Sequence, residues 1–125
     1  MKKIIFTKDA PAPIGPYSQA VLHNNILYVS GQIAINPVSG DIELSDIKLE
    51  TKQVMENLKA VLNEAGMEFS HILKCSIFIS DMKNFSAINE VYGSYFTSDF
   101  PARETVEVSV LPKNVNVEIS AIASK

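Results

Sequence analysis

The sequence has a single cysteine, Cys75, so no disulfide can form within the chain and the fold stands without a covalent staple. It has only two histidines, His23 and His71, with no CxxC, no HExxH and no cluster of metal-ligand types. Neither a structural nor a catalytic zinc is expected. There is no GxGxxG and no GxxxxGK[ST], so cradling of a nucleotide by a glycine-rich loop has no support. No apolar run approaches the roughly 18 residues of a membrane span. The opening run, Met1 to Phe6, is too short for a secretory signal, which makes the cytoplasm the expected compartment. Basic residues are scattered, the longest run being Lys2-Lys3, and the net charge is -3 with a pI near 5.3. That balance gives no electrostatic footprint for nucleic acid.

What remains is 125 residues, 46% hydrophobic and 20% charged, which suits one compact domain over 1–125 with a modest core. Ala10 to Pro16 carries three prolines and a glycine and reads as an irregular, extended approach. Ser18–Leu22 and Ile26–Ile35 read as strands joined by a tight turn at His23-Asn24-Asn25, and 36–41 as a loop. Val54, Leu58, Val61 and Ala65 recur at helical spacing, predicting a helix from about Asp46 to Ala65 that Gly66 ends in a left-handed cap. Ile72–Ile79 is apolar on both faces and predicts a central strand buried on both sides. Asp81 to Asn84 offers caps for a second helix with Phe85, Ile88, Tyr92 and Tyr95 on its apolar face, ending near Thr97. Thr105–Leu111 and Val115–Ala123 alternate as strands about a turn at Pro112-Lys113-Asn114, and Lys3–Phe6 reads as a first strand. Two helices cover one face of such an α+β sheet and leave the other bare. Oligomerisation through that bare face is therefore expected.

Five segments together carry a resemblance. They are Ala12-Pro13-Ile14-Gly15-Pro16-Tyr17-Ser18-Gln19-Ala20; Ser30-Gly31-Gln32-Ile33 with Asn36-Pro37 and Gly40; Asn57-Leu58-Lys59-Ala60-Val61-Leu62 ending at Ala65-Gly66; Phe100-Pro101-Ala102-Arg103 with Val106-Glu107-Val108; and Leu111-Pro112-Lys113 with Val117-Glu118-Ile119 and Ala121-Ile122-Ala123. In this order and spacing, over almost the whole chain, they resemble the RidA family, also called YjgF. The resemblance implies a chorismate-mutase-like mixed sheet assembled as a homotrimer with clefts between subunits. It also implies hydrolysis of 2-aminoacrylate, 2-iminobutanoate and similar imines to 2-keto acids and ammonia, with no cofactor or metal.

Arg103 matches the family's carboxylate-binding arginine; a guanidinium holds a carboxylate by two parallel hydrogen bonds. Without the resemblance it reads as a surface arginine paired with Asp99 or Glu104. Glu118 matches the glutamate that orients water and exchanges protons. By alternation it points away from Val117, Ile119, Ala121 and Ala123, together with Asn116 and Ser120. Taken alone it is a solvated strand residue. Tyr17, Ser30, Gly31 and Asn89 match further cleft positions. Their alternatives are interface packing for Tyr17, a simple bulge at Ser30-Gly31 and a solvent-facing helical residue for Asn89. Thr105 also falls in the implied cleft, where well-known bacterial members have a cysteine. The departure leaves deamination expected and bears on substrate range and oxidation sensitivity. Cys75 reads as a small apolar residue of a buried strand. Two other functions compete: an endoribonuclease or translation inhibitor, attributed to some relatives, and a regulatory module that binds a keto acid without turnover. The acidic balance counts against the first, and Glu118 against the second, since a second carboxylate hinders carboxylate binding.

Overall fold

The computed structural model describes all 125 residues. Six strands form one sheet: β1 (Lys3–Ile5), β2 (Ala20–His23), β3 (Ile26–Gln32), β4 (Ile72–Ile79), β5 (Ala102–Glu107) and β6 (Val117–Ser124). Their spatial order is β1-β2-β3-β6-β4-β5. Only β4 and β5 run parallel, linked by a crossover that contains a helix. Two helices, α1 (Ile47–Glu64) and α2 (Phe85–Gly93), pack on one face.

The local chemistry explains the boundaries. Asn24 (φ 49°) and Asn25 (φ 65°) are the two left-handed residues of the hairpin in which His23 pairs with Ile26. The Asp46 side chain caps α1 by accepting from the backbone N–H of Lys48 (2.7 Å) and Leu49 (3.2 Å). Gly66 (φ 73°) closes it, with Gly66 N–H donating to Asn63 O and Met67 N–H to Leu62 O, both 2.9 Å. Val54, Leu58 and Val61 of α1 and Ile88 and Tyr92 of α2 meet Cys75, Ile77, Ile79, Val117, Ile119, Ala121 and Ala123 from the sheet in one core.

Several expectations are corrected. The centre of the sheet is β6, and β4 is buried on one face only. Cys75, Ile77 and Ile79 are covered by helices, while Lys74 is exposed and Ser76 and Phe78 are half-buried. A shift of register between Ile72 and Lys74 turns Leu73 outward, which breaks the two-sided apolar reading. The fifth strand starts at Ala102, not Thr105, and ends at Glu107, so Arg103 lies within it. Its parallel pairing with β4, invisible in local alternation, sets those limits. The second helix stops at Gly93, before Thr97, because the aromatic residues Tyr95 and Phe96 leave the helix to pack on Phe69. Asn116 precedes β6, and its amide turns toward α1 to meet Glu50.

The face opposite the helices is bare in the single chain and strongly apolar. Ile4, Val21, Tyr28 and Ile122 form a row across four strands, with Phe78 and Val106 further along. Ile4, Tyr28 and Val106 are 52%, 48% and 41% exposed, a large apolar area for a free surface.

Candidate functional site

The residues singled out in the sequence fall into two groups, and the sheet separates them. Cross-strand partners share a face. Arg103 is in register with Cys75, and Cys75 with Ala121, all on the helix side. Glu118 is in register with Phe78, and Phe78 with Val106, all on the bare side. Within one chain, then, Arg103 and Glu118 project from opposite faces.

The first group surrounds Arg103, the only arginine in the sequence. It extends from β5 at the edge of the sheet, and its Nη1 donates to Asn89 Oδ1 of α2 at 2.7 Å. The guanidinium carbon lies 5.2 Å from the Tyr92 ring centre and 5.7 Å from that of Phe85. Neither Asp99 nor Glu104 pairs with it; Glu104 is engaged by Lys74 (3.1 Å) and by the Ser76 hydroxyl. Beside it opens a cavity of about 320 Å³ lined by Asn89, Tyr92, Gly93, Phe100, Pro101 and Arg103. Behind it, burial pushes the Cys75 thiol up to about 11 and the Tyr92 hydroxyl upward as well. Both stay neutral at ordinary pH, so the guanidinium has no internal counterion. An uncompensated, fixed guanidinium edge beside an open cavity is suited to an anion. Thr105 lies two residues on, on the same face, its hydroxyl oxygen buried and unpartnered. Asn89, off the apolar centre of its helix, thus has a strand partner 14 residues away rather than solvent.

The second group surrounds Glu118. Tyr17, Gly31 and Glu118 line a small cavity of about 60 Å³ with Ile14, Ile33 and Pro112. A bulge in β3 between Val29 and Gln32 places Gly31 against Glu118. A Cβ added at Gly31 would sit 2.6 Å from both Cδ and Oε2 of Glu118. Glycine here makes room for that side chain, so the bulge and the close approach are one feature. Ser30 lies in the same bulge, its hydroxyl donating to Ser18 O at 2.6 Å. The Pro-rich segment forms one wall, with Ile14 N–H donating to the Tyr17 hydroxyl (3.3 Å). The Glu118 carboxylate meets no hydrogen-bond donor in the chain, and burial alone raises its pKa.

That shift makes a prediction. A carboxyl whose pKa is raised by folding stabilises the fold while protonated, and that contribution is lost as pH rises through the raised value. Glu118→Gln is therefore expected to raise the unfolding midpoint at pH 7–8. The gain should shrink as pH falls toward the ordinary carboxylate range, a trend that thermal melts across pH can follow.

Sequence reasoning missed two buried polar residues that position this group. Glu50 of α1, fully buried, accepts from Asn116 N–H (2.7 Å) and Nδ2 (2.8 Å), fixing the start of β6 just before Glu118. The signal was there: Glu50 lies four residues before Val54, on the apolar stripe. Gln19 accepts from Thr7 N–H (2.7 Å) and donates to Thr7 O, Pro11 O (both 2.9 Å) and Ala10 O (3.3 Å), pinning the Pro-rich wall. No periodicity announces it. A larger open groove of about 440 Å³ along α1 is lined by Asp9, Glu56, Lys59 and Glu64 and gathers none of the expected residues.

The family described as Endoribonuclease L-PSP matches residues 7–125. The chain belongs to this family, the RidA/YjgF family. It is 51% identical over 125 residues to a RutC family protein of Pyrococcus horikoshii, covering 100% of this chain and 99% of that protein. It is 45% identical to a 2-iminobutanoate/2-iminopropanoate deaminase of Bos taurus, covering 98% and 90%. Among solved structures, the YjgF gene product of E. coli superposes with a TM-score of 0.94 at 41% identity, covering 98% of each chain. E. coli TdcF, solved with bound serine, superposes with a TM-score of 0.95 at 40% identity, covering 98% of each. These RidA/YjgF relatives share the six-stranded sheet and two helices. No helix of this chain is long and apolar enough to cross a membrane.

Proposed function

We propose that the protein hydrolyses 2-imino acids, among them 2-iminopropanoate and 2-iminobutanoate, to 2-keto acids and ammonia in clefts shared between the subunits of a homotrimer. The observation that carries the reading is the division of the site. An arginine edge free for a carboxylate projects from one face of the sheet, and an unpaired, half-buried carboxyl from the other. Each is incomplete in one chain. A second copy packed on the bare apolar face and against the β5 edge brings the Glu118 group of one subunit toward the Arg103 group of the next.

In such a cleft Arg103 holds the substrate carboxylate and fixes C2. Protonated Glu118, favoured by its burial, gives its proton to the imine nitrogen, making C2 more electrophilic. Water then adds to C2, and the Glu118 carboxylate accepts a proton from that water as the C–O bond forms. Glu118 passes that proton to the carbinolamine nitrogen, which leaves as ammonia, and takes the hydroxyl proton as C2 becomes a carbonyl. Atoms balance as imine plus water giving keto acid plus ammonia, with no redox step. Thr105 adds a hydroxyl near Arg103 and offers no thiol to this chemistry. The name of the Bos taurus relative supports the substrate class. Against nucleic-acid cleavage stand a net charge of -3 and a single arginine. A binding module uses Arg103 but has no use for Glu118. The cytoplasm is the compartment this metabolic role suits.

The test couples a threonine or serine dehydratase, which releases imines, to semicarbazide trapping. The protein is expected to suppress trapped imine and speed keto acid formation. Imine loss at the uncatalysed rate with keto acid still bound contradicts turnover and leaves a binding module.

A further inference from the structure

Arg103 lies on an exposed edge strand, where a long flexible side chain ordinarily spreads over many rotamers. Three residues of α2 prevent this. Phe85, Asn89 and Tyr92 are spaced four and three apart, so they share one face of the helix, and all three meet the guanidinium. Asn89 engages only Nη1, leaving Nε and Nη2 without a partner in the chain. One hydrogen bond fixes a point and leaves the plane free to swing. The plane is set by what lies beneath it.

Tyr92 has the properties of a fixed template. It is 4% exposed, its ring packs on Phe96 at 5.0 Å, and its hydroxyl is buried near Cys75 without a well-formed hydrogen bond. That buried hydroxyl costs stability, so stability alone does not account for tyrosine here. Phe85 is half-buried and 5.7 Å away, a second and looser support.

We propose that Tyr92, supported by Phe85, is a positioning residue whose ring face sets the plane of the Arg103 guanidinium and turns its free edge toward the cavity. Its consequence for catalysis rests on the reading of Arg103 as the carboxylate anchor; its geometry does not.

Because the chain has one arginine, a ¹⁵N-arginine label gives one side-chain Nε–H signal. In the wild type that signal is expected to be shifted by the ring current and to show slow guanidinium rotation. Tyr92→Phe retains the ring and should retain both features. Tyr92→Leu should move the signal to that of a solvated arginine and raise KM for the imine and Kd for 2-oxobutanoate about fivefold, the upper end for loss of a cation–π contact at an exposed site. Its kcat is expected to change by less than about threefold, since anchoring acts on ground and transition states alike. Phe85→Leu, at a less buried position, should shift the signal the same way by less, and serves if Tyr92→Leu does not fold. An unchanged arginine signal in a folded Leu variant overturns the proposal, as does a Tyr92→Phe variant that behaves like Tyr92→Leu. A collapsed signal with wild-type KM and Kd upholds the positioning and overturns instead the carboxylate-anchor reading.

Discussion

Arg103→Lys is expected to lower kcat/KM for 2-imino acids by at least about 100-fold, and Arg103→Ala by more, with the fold intact. The guanidinium has work on two edges: Nη1 is held by Asn89, and the other edge is free for a carboxylate. Lysine offers a point charge and cannot serve both with fixed geometry. Hydrogen bonds to charged groups contribute about 1.5–3 kcal/mol each, so losing a bidentate pair accounts for a loss of this size. Stability should stay within about 1 kcal/mol, because Arg103 is exposed and forms no ion pair in the chain. Steady-state kinetics together with thermal melts check both halves. A Lys variant within threefold of wild type means that charge alone anchors the substrate.

Gly31→Ala is expected to lower kcat about 10²-fold or more by displacing Glu118, the range attributed to a general acid–base group. The added Cβ cannot coexist with Glu118 as it stands, since both Cδ and Oε2 would be 2.6 Å away. The group that gives way is the end of a flexible side chain, so the cost in stability should stay below about 1 kcal/mol. The loss should equal that of Glu118→Ala, and the double variant should lose nothing further, because both remove the same group from the same place. Additive losses would mean that Gly31 has a task apart from making room for Glu118.

The two groups were legible in the sequence to different degrees. The face on which Glu118 stands follows from strict alternation along β6, where Val117, Ile119, Ala121 and Ala123 are all buried on the other face, while its role came from the family resemblance alone. The α1 helix and its Gly66 cap follow from helical spacing and from a residue that needs positive φ. The family resemblance supplied Arg103 and Asn89 as separate residues, but nothing local says that they touch. Their contact depends on β5 pairing parallel with β4 and on α2 lying above it. The same non-local pairing starts β5 at Ala102, three residues before the point where local alternation begins. For Ser30 and Gly31 the sequence leaves a bulge and a close approach as alternatives; in the structure the bulge itself brings in Glu118, a neighbour 87 residues away in sequence. The division of the site between two faces was legible nowhere, since it depends on register across three strands.

That division is the centre of the account, and mixing two inactive variants tests it most directly. Arg103→Ala subunits keep Glu118, and Glu118→Gln subunits keep Arg103. If each cleft takes one group from each of two neighbours, unfolding and reassembling an equal mixture restores an intact cleft at about one interface in four. Imine hydrolysis is then expected to recover to about a quarter of the wild-type rate per subunit, while each variant reassembled alone stays inactive. A mixture that reassembles into the same oligomer and regains no activity would contradict a site shared between subunits.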